Sequence, residues 1–344
     1  MAMPGAADNA DRATVSRGVL VRGFVIVSWT LAIGLVLSVI AARLAGGGSL
    51  TVSFLALMVQ TFAFHSGLVV AGLLLVALAI RRWRLGAALL LATLASVGPL
   101  GVSAMRPDLA PIDDDATLTV LSCNTRYGTS DPDLLLAWID EVDPDVIALQ
   151  EYAEPWPAIM ESRLAERYPH AWQKPGGAHG QAIFTRLEFE ELVPDVLGWR
   201  WKMTAPRVTI EHQGRRIDLT NVHVYPPMRL DLMSAQLEQL GVLEESVIDR
   251  KGRVDGLVLA GDFNSPWNTN HLRGLRDLGL REAHAEVGRG RGATWGPTAG
   301  VLSLVPGIRI DHAIYGGELE AVFSAVGPDV GSDHRPIAVG FRWR

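Results

Sequence analysis

Cysteine is almost absent: Cys123 is the single one in 344 residues. No internal disulfide framework is therefore available, and the compartment cannot be read from thiol pairing. Lysine is missing from the first 106 residues, where Asp8 and Asp11 are the only acidic side chains. Charge of either sign vanishes from Gly23 to Ala42, from Leu44 to Ile80 and from Leu85 to Met105. Charged residues make up 20% of the whole against 49% hydrophobic. That balance excludes a disordered chain, a collagen-like repeat and a disulfide-stapled miniprotein.

The net charge of −6 averages two unlike parts. Residues 1–106 hold eight Arg and two Asp, a balance of +6, and residues 107–344 hold the other 23 basic and 35 acidic residues, a balance of −12. An acidic second part argues against a stable nucleic-acid complex, which needs an excess of Lys and Arg. About 20 apolar residues at ~1.5 Å each cross a ~30 Å hydrocarbon core. The charge-free runs thus predict three transmembrane helices, roughly 22–43, 54–80 and 85–105, forming an anchor over residues 1–105. Gly46, Gly47, Gly48 and Ser49 mark the first hairpin turn. The first run is longer than the ~7–15-residue core of a cleaved signal peptide, and two more follow it. Arg12, Arg17 and Arg22 flank the first run and Arg81, Arg82 and Arg84 fill the second loop, whereas the first loop has only Arg43. Positive loops stay cytoplasmic, so the N-terminus is expected inside the plasma (inner) membrane and everything beyond Met105 outside it. Gln60 and His65 lie within the second run, as interhelical hydrogen-bonding groups or as a functional pair.

Arg106 to Ala116 is polar, with two prolines and an acidic triplet, and is expected to be a linker (106–116). The remaining domain, 117–344, alternates strands and helices. Thr117–Cys123, Asp145–Gln150, Gln181–Thr185, Pro206–His212, Arg216–His223, Gly256–Ala260, Ile308–Ile314, Leu319–Val326 and Pro336–Phe341 read as strands. Asp131–Val142, a stretch near 156–167 and Arg229–Asp249 read as helices, the last with Leu230, Met233, Leu237, Leu240, Leu243 and Val247 at helical spacing. Hairpin-spaced strands with few helices suggest two sheets flanked by helices.

Polar residues collect where these strands end. Asn124 follows the first (LSCNTRYG), Glu151 the second (DVIALQEY) and His223 closes another (LTNVHVYPP). Asp262 and Asn264 end a fourth (LVLAGDFNSPW), Asp311 and His312 interrupt a fifth (IRIDHAIY), and Asp333 and His334 precede the last (GSDHRPIAVGF). Each alone has a plain reading as a turn, cap or solvated loop residue. Six together, from six strands, would converge on one cleft, because strand ends are where such folds place their chemistry.

From about Thr117 to Arg344, the ordered set N-T-R, LQE, NVH, GDFN, IDH and SDHRP resembles the endonuclease/exonuclease/phosphatase superfamily. The resemblance implies a four-layer α/β/β/α sandwich, here preceded by three transmembrane helices, and metal-dependent cleavage of phosphate esters. The expected cofactor is Mg²⁺, with Mn²⁺ as the alternative. It implies that Glu151 holds the metal with Asn124 and Asp333, or that those two serve a second metal or its waters. It implies that Asp262 positions or deprotonates the attacking water and that Asn264 donates to the phosphate or the water. His334 would contact the scissile phosphate with Asp311 orienting it, and His223 would protonate the leaving group. His312 stands where many members carry an aromatic residue, and strand alternation turns it away from Asp311. Tyr225, Arg229, Trp267 and Trp295 are expected substrate contacts, and His179 and Gln181 are either substrate contacts or parts of a glycine-rich turn. Trp199 and Trp201 around Arg200, with Lys202 beside them, suit a membrane interface or a surface hairpin.

The anchor adds a likeness to bacterial teicoplanin-resistance (VanJ-type) proteins, resting on architecture more than on motifs. The expectation is a membrane-integral phosphatase or phosphodiesterase acting outside the cytoplasm on a lipid-linked phosphate or pyrophosphate. A surface Mg²⁺-dependent nuclease is the alternative, and an inactive binding or resistance module the third reading.

Overall fold

The computed structural model describes residues 6–44, 49–97, 116–198, 200, 202–297 and 305–344. The chain divides into an N-terminal helical unit and a C-terminal α/β unit. The helical unit holds α1 (Ala6–Leu44), α2 (Leu50–Ala79) and α3 (Trp83–Val97). Its core is made mostly of small side chains, Ala32, Ala77 and Ala92 with Val70, Leu85 and Leu89. Small residues let helices approach closely where lipid tails, not water, surround them. The amide of Gln60 donates to the Ala42 carbonyl at 2.9 Å, so it serves as an interhelical hydrogen bond. His65 lies between the rings of Phe62 and Phe64. Large apolar side chains such as Leu20, Leu75 and Leu91 face outward and are more than 60% exposed. Two helices are long and apolar enough to cross a membrane, Val19–Leu44 and Leu50–Ala79. The third expected span is described only as the 15-residue α3, short of the ~20 residues a crossing needs. Its remainder and nearly all of the expected linker lie outside the described residues.

The α/β unit holds two mixed six-stranded sheets flanked by helices. The first contains β1 (Leu118–Asn124), β2 (Val146–Gln150), β3 (His170–Lys174), β4 (Gln181–Thr185), β11 (Leu319–Val326) and β12 (Ile337–Trp343) in the order β11-β12-β1-β2-β4-β3. The second contains β5 (Phe189–Val193), β6 (Arg207–His212), β7 (Arg215–His223), β8 (Gly256–Asp262), β9 (Arg281–Glu282) and β10 (Asp311–Gly317) in the order β5-β6-β7-β8-β10-β9. Val120, Ile183, Val208, Leu219, Val258 and Val339 meet between the sheets. Two helices, α4 (Pro132–Val142) and α5 (Trp156–Leu164), cover the outer face of the first sheet through Trp138, Ile139, Trp156 and Met160. On the second sheet lie α6 (Leu230–Arg250) and α7 (Arg273–Asp277), joined through Leu240, Leu243 and Leu275. A last short helix, α8 (Ala283–Val287), follows β9.

Local chemistry explains these elements. Asp131 accepts from the backbone N–H of Asp133 and Leu134, and Pro132 follows it, so α4 starts with a capped first turn. The apolar stripe expected on α6 is buried at Met233, Leu240, Leu243 and Val247. That face also buries Gln236 and Gln239, whose amides hold the Phe263 carbonyl and the Tyr225 N–H. Gly261 has φ +144°, and a Cβ there would lie 2.0 Å from the Val222 carbonyl oxygen. Only glycine permits that approach of β8 to β7.

Two features differ from the sequence expectation. The strand expected over Ile308–Ile314 begins three residues later, because the isolated bridge of Ile308 to Trp295 occupies the preceding stretch. His170–Lys174 and Phe189–Val193 were not expected as strands; both are edge strands, half exposed and rich in polar residues, and lack a fully apolar run.

A buried ionic group ties α6 to the second sheet. Arg250 contacts Asp218, with 3.1 Å from Nη2 to Oδ1, and Asp218 also accepts from Thr209 Oγ1 at 2.6 Å. Asp218→Ala removes the buried partner of Arg250 and leaves it only the half-exposed Glu191 at 3.1 Å, a loss of about 3–5 kcal/mol. Thermal unfolding of the detergent-solubilised chain, followed by near-UV circular dichroism, is expected to shift down by about 6–20 °C. Asp249→Ala, which removes only the exposed partner of Arg253, is expected to move it by under about 4 °C.

Candidate active site

Strand register sets the site. Parallel pairing of β1 with β2 puts Asn124 opposite Gln150, so Asn124 and Glu151 emerge at one edge. Parallel pairing of β7 with β8 puts His223 opposite Asp262, and antiparallel β10 sets Asp311 opposite Asp262 as well. The two sheets are clasped just behind this edge. Gln150 Nε2 donates to Asn221 Oδ1 at 2.7 Å, and Asn221 Nδ2 donates to the carbonyls of Leu149 and Ala182 at 2.9 and 3.0 Å. Residues from both sheets therefore face one another across a fixed gap.

Asn124 is the bridge between the sheets' carboxylates. Its Nδ2 lies 3.3 Å from Glu151 Oε1 and 3.1 Å from Asp262 Oδ2, while its Oδ1 accepts the Arg126 N–H at 2.9 Å. Glu151 has φ +51° and Asn264 φ +49°. Left-handed backbone at residues other than glycine costs energy, and it persists where the surrounding structure enforces it. Here the Glu151 carboxylate also accepts from the Tyr127 N–H at 3.1 Å. Asn264 donates through Nδ2 to the Val224 carbonyl at 2.9 Å, and its N–H donates to Asp262 Oδ1 at 2.8 Å.

Opposite these carboxylates stands an imidazole–carboxylate pair. His334 Nδ1 lies 2.9 Å from Asp311 Oδ2, and its Nε2 lies 3.7 Å from Asp262 Oδ2. Asp311 is fixed in turn by its own N–H, which donates to Thr294 Oγ1 at 3.1 Å. Burial alone would lower the His334 pKa, but Asp311 and Asp262 outweigh it and raise it to about 10. Burial likewise opposes ionisation of Asp311, yet His334 holds its carboxyl below the usual carboxylate range. His223 differs. Burial, with His334 adding to it, lowers its pKa to about 3, so it faces the site as a neutral ring. Its Nε2 is 3.9 Å from Glu151 Oε1 and 3.8 Å from Asp262 Oδ2, too far for hydrogen bonds. A neutral ring supplies no imidazolium proton, so the acid role expected of His223 has no support from its burial.

The donor chemistry fits a hard divalent cation. Burial pushes both Glu151 and Asp262 upward, against the opposing pull of Asn124 and His334. Among the described residues neither carboxylate has a Lys or Arg ion-pair partner. Two carboxylates so disposed match the oxygen preference of such ions, while Asn124 turns its NH2 to them and its Oδ1 to the Arg126 N–H. Asp262, Asp311 and His334 also offer atoms within 4.8 Å of one another. His334 held protonated by Asp311 has no free lone pair there, however, so the Glu151–Asn124–Asp262 face suits the ion better.

The other expected residues divide. Asp333 sits at the rim, with Trp295 Nε1 3.3 Å from its Oδ2 and Arg126 Nε 3.7 Å from its Oδ1. Trp295 is thus brought to the site. Arg229 is exposed and forks onto Asp231, its carboxylate oxygens at 3.0 and 2.7 Å. Trp267 and Tyr225 pack against the core beneath α6, with Arg276 over the Trp267 ring. His312 is fully buried on the far side of β10, and Gln181 donates to the Thr204 carbonyl. His179 closes a short turn after Gly177. Trp199 and Trp201 lie outside the described residues. Sequence reasoning missed Arg126, Tyr127 and Thr294. Their signal was faint, since two act through backbone N–H groups and the third through a hydroxyl on an irregular loop.

A model of the Endonuclease/Exonuclease/phosphatase family matches residues 121–334. No curated protein matches the chain. A humanised TDP2 from D. rerio superposes with a TM-score of 0.52 at 17% identity, covering 65% of this chain and 98% of that one. An endonuclease/exonuclease/phosphatase from Beutenbergia cavernae DSM 12333 gives 0.51 at 21%, covering 66% and 71%. A 3′-5′ exonuclease (NExo) from Neisseria meningitidis gives 0.51 at 20%, covering 66% and all of that chain. At these identities the likeness is one of fold.

The electrostatics of the pair can be measured directly. In Asp311→Asn the chief force holding the His334 proton is gone. NMR titration of the metal-free protein is expected to show the His334 ring losing its proton at clearly lower pH than in the wild type. An unchanged titration would mean that Asp311 does not govern the ring.

Proposed function

The chain belongs to the endonuclease/exonuclease/phosphatase family, whose members hydrolyse phosphate esters, and on that premise we propose that it is a membrane-anchored, divalent-metal-dependent phosphoesterase. The observation that carries this reading is the pair of buried carboxylates Glu151 and Asp262, joined through Asn124 and faced by the His334–Asp311 pair. The enzyme acts outside the cytoplasm on a lipid-linked phosphate or pyrophosphate. Support for that part is the apolar N-terminal helices, the arginine-rich flanks and the −12 balance of residues 107–344.

Glu151 would hold the cation, Mg²⁺ or Mn²⁺, with Asn124 orienting its carboxylate, Asp333 serving the ion's waters from the rim and Asp262 left beside the ion rather than bound to it. When bound, the ion neutralises phosphate oxygens and makes a water more acidic. The chain's own groups do the rest. Asp262, desolvated and therefore a stronger base than an exposed carboxylate, accepts the proton of the attacking water. Asn264 lies beside Asp262 and keeps that carboxylate turned to the site. His334 stays cationic through neutral pH and supplies an N–H and positive charge to the oxygens that gain charge as the ester bond breaks. His223, neutral, lines the space between Glu151 and Asp262 and offers a hydrogen bond without adding charge. Trp295 borders the same opening beside Asp333 and would contact the group attached to the phosphate.

The test uses purified full-length protein with Mg²⁺ against bis-p-nitrophenyl phosphate, sphingomyelin, a polyprenyl pyrophosphate and plasmid DNA. Hydrolysis is expected to stop with EDTA. Glu151→Gln and Asp262→Asn are each expected to lower kcat/KM by at least about 100-fold. Preference for the polyprenyl substrate supports the lipid reading. Rapid plasmid nicking lost in Glu151→Gln would replace it with a nuclease, and inactivity on all four would leave a binding module. Protease added to intact cells is expected to remove the C-terminal domain; its protection would overturn the orientation.

A further inference from the structure

The turn that carries Asp262 and Asn264 is held from behind by a buried polar assembly outside the site. Asn264 keeps φ +49°, and the two carbonyls beside it, of Phe263 and Ser265, point away from the cleft. Gln236 Nε2 from α6 meets the Phe263 carbonyl at 3.1 Å, and His312 Nε2 from β10 meets the Ser265 carbonyl at 3.0 Å. His312 is fully buried, and its other nitrogen, Nδ1, lies 3.4 Å from Glu282 Oε1. Glu282, 2% exposed, accepts from Arg309 at 2.9 and 3.2 Å and from the Ala285 N–H at 2.7 Å. Arg309 also donates to the Gly292 carbonyl at 3.0 Å. Successive strand residues face opposite ways, so β10 sends Asp311 forward to His334 and His312 backward to Ser265.

We propose that His312 is a positioning residue: set against Glu282, which Arg309 holds, it donates through Nε2–H to the Ser265 carbonyl and so keeps Asn264 left-handed beside Asp262. This rests on the phosphoesterase reading for its effect on rate, but the clamp itself does not. A plain packing role does not account for the geometry. An apolar side chain of equal size would fill the space against Phe263, whose ring stands edge-on to His312 at 5.8 Å. Such a side chain would leave the Ser265 carbonyl unpaired in a dry interior, where unpaired polar groups are costly. The strain at Asn264 would then relax toward ordinary backbone, drawing Asn264 Nδ2 off the Val224 carbonyl.

The experiment compares full-length wild type, His312→Phe and His312→Gln, alone and combined with Asn264→Ala. Amide hydrogen exchange over residues 263–265 of the metal-free protein is the first readout. His312→Phe is expected to speed it by about tenfold, the size of one net hydrogen bond, with strands β1 and β2 unchanged. His312→Gln, which retains a donor, is expected to restore most of the protection. In turnover of bis-p-nitrophenyl phosphate, His312→Phe is expected to lower kcat by ~10–100-fold with KM within about threefold, since small displacements of reacting groups are felt in rate. Asn264→Ala is expected to add far less in that background than in wild type, because the two residues act as one unit. Exchange unchanged at 263–265, exchange raised equally across the domain, or fully additive losses would each overturn the proposal. A wild type that hydrolyses nothing, with the local exchange effect intact, would sink the phosphoesterase reading and leave the clamp.

Discussion

Negative charge buried without enough fixed positive charge is the constraint around which the α/β unit is built. Glu151, Asp262 and Asp311 converge from three strands, and among the described residues His334 is the one cation held between them. Like charges in a poorly hydrated place raise one another's cost of ionisation, and burial raises it further. A fold made for stability alone would spread them out or give each an arginine. The chain does so elsewhere: Asp218 has Arg250, and Glu282 has Arg309. The contrast between those satisfied pairs and the unsatisfied cluster marks the cluster as a place for a ligand with positive charge.

Holding such a cluster requires rigidity in the layers behind it. The Gln150–Asn221 clasp fixes the two sheets together within one residue of the site, and Asn221 spends its two donor bonds on backbone carbonyls. Gly261 lets β8 come close enough to β7 for His223 and Asp262 to share an edge. Glu151 and Asn264, both left-handed, are kept so by several hydrogen bonds each. Strain at the front of the site is thus offset by buried hydrogen bonds at the back, and that division separates residues that meet substrate from those that only hold them.

Much of the site was legible because each motif places a polar residue just after a run of β-branched or aliphatic ones. Asn124, Glu151, His223, Asp262 and Asp311 follow that rule, His334 comes just before such a run, and strand register then collects them. Less legible were contacts made through backbone. Tyr127 reaches Glu151 through its N–H, and His312 reaches the site through a carbonyl, so neither side-chain type predicts the role. Protonation was not legible at all. His223 and His334 look alike as strand-end histidines, yet burial leaves one neutral while Asp311 charges the other. The edge strands β3 and β5 escaped because half-exposed strands carry little apolar pattern. Arg229 was expected to contact substrate, and two residues on the chain supplies Asp231 to hold its guanidinium.

The division of histidine roles has a further consequence for what the site can bind. A neutral His223 beside Glu151 and Asp262 adds no charge, so the balance of the cavity rests on His334 alone until a cation arrives. A phosphate ester brings negative charge of its own and would meet net repulsion from the carboxylates. A divalent ion there would cancel the charge of Glu151 and Asp262 and leave His334 positive on the other side, so that a phosphate group would be attracted rather than repelled. Ion binding and substrate binding are then coupled through charge, and the order in which they arrive follows from the electrostatics of the fold rather than from any moving part.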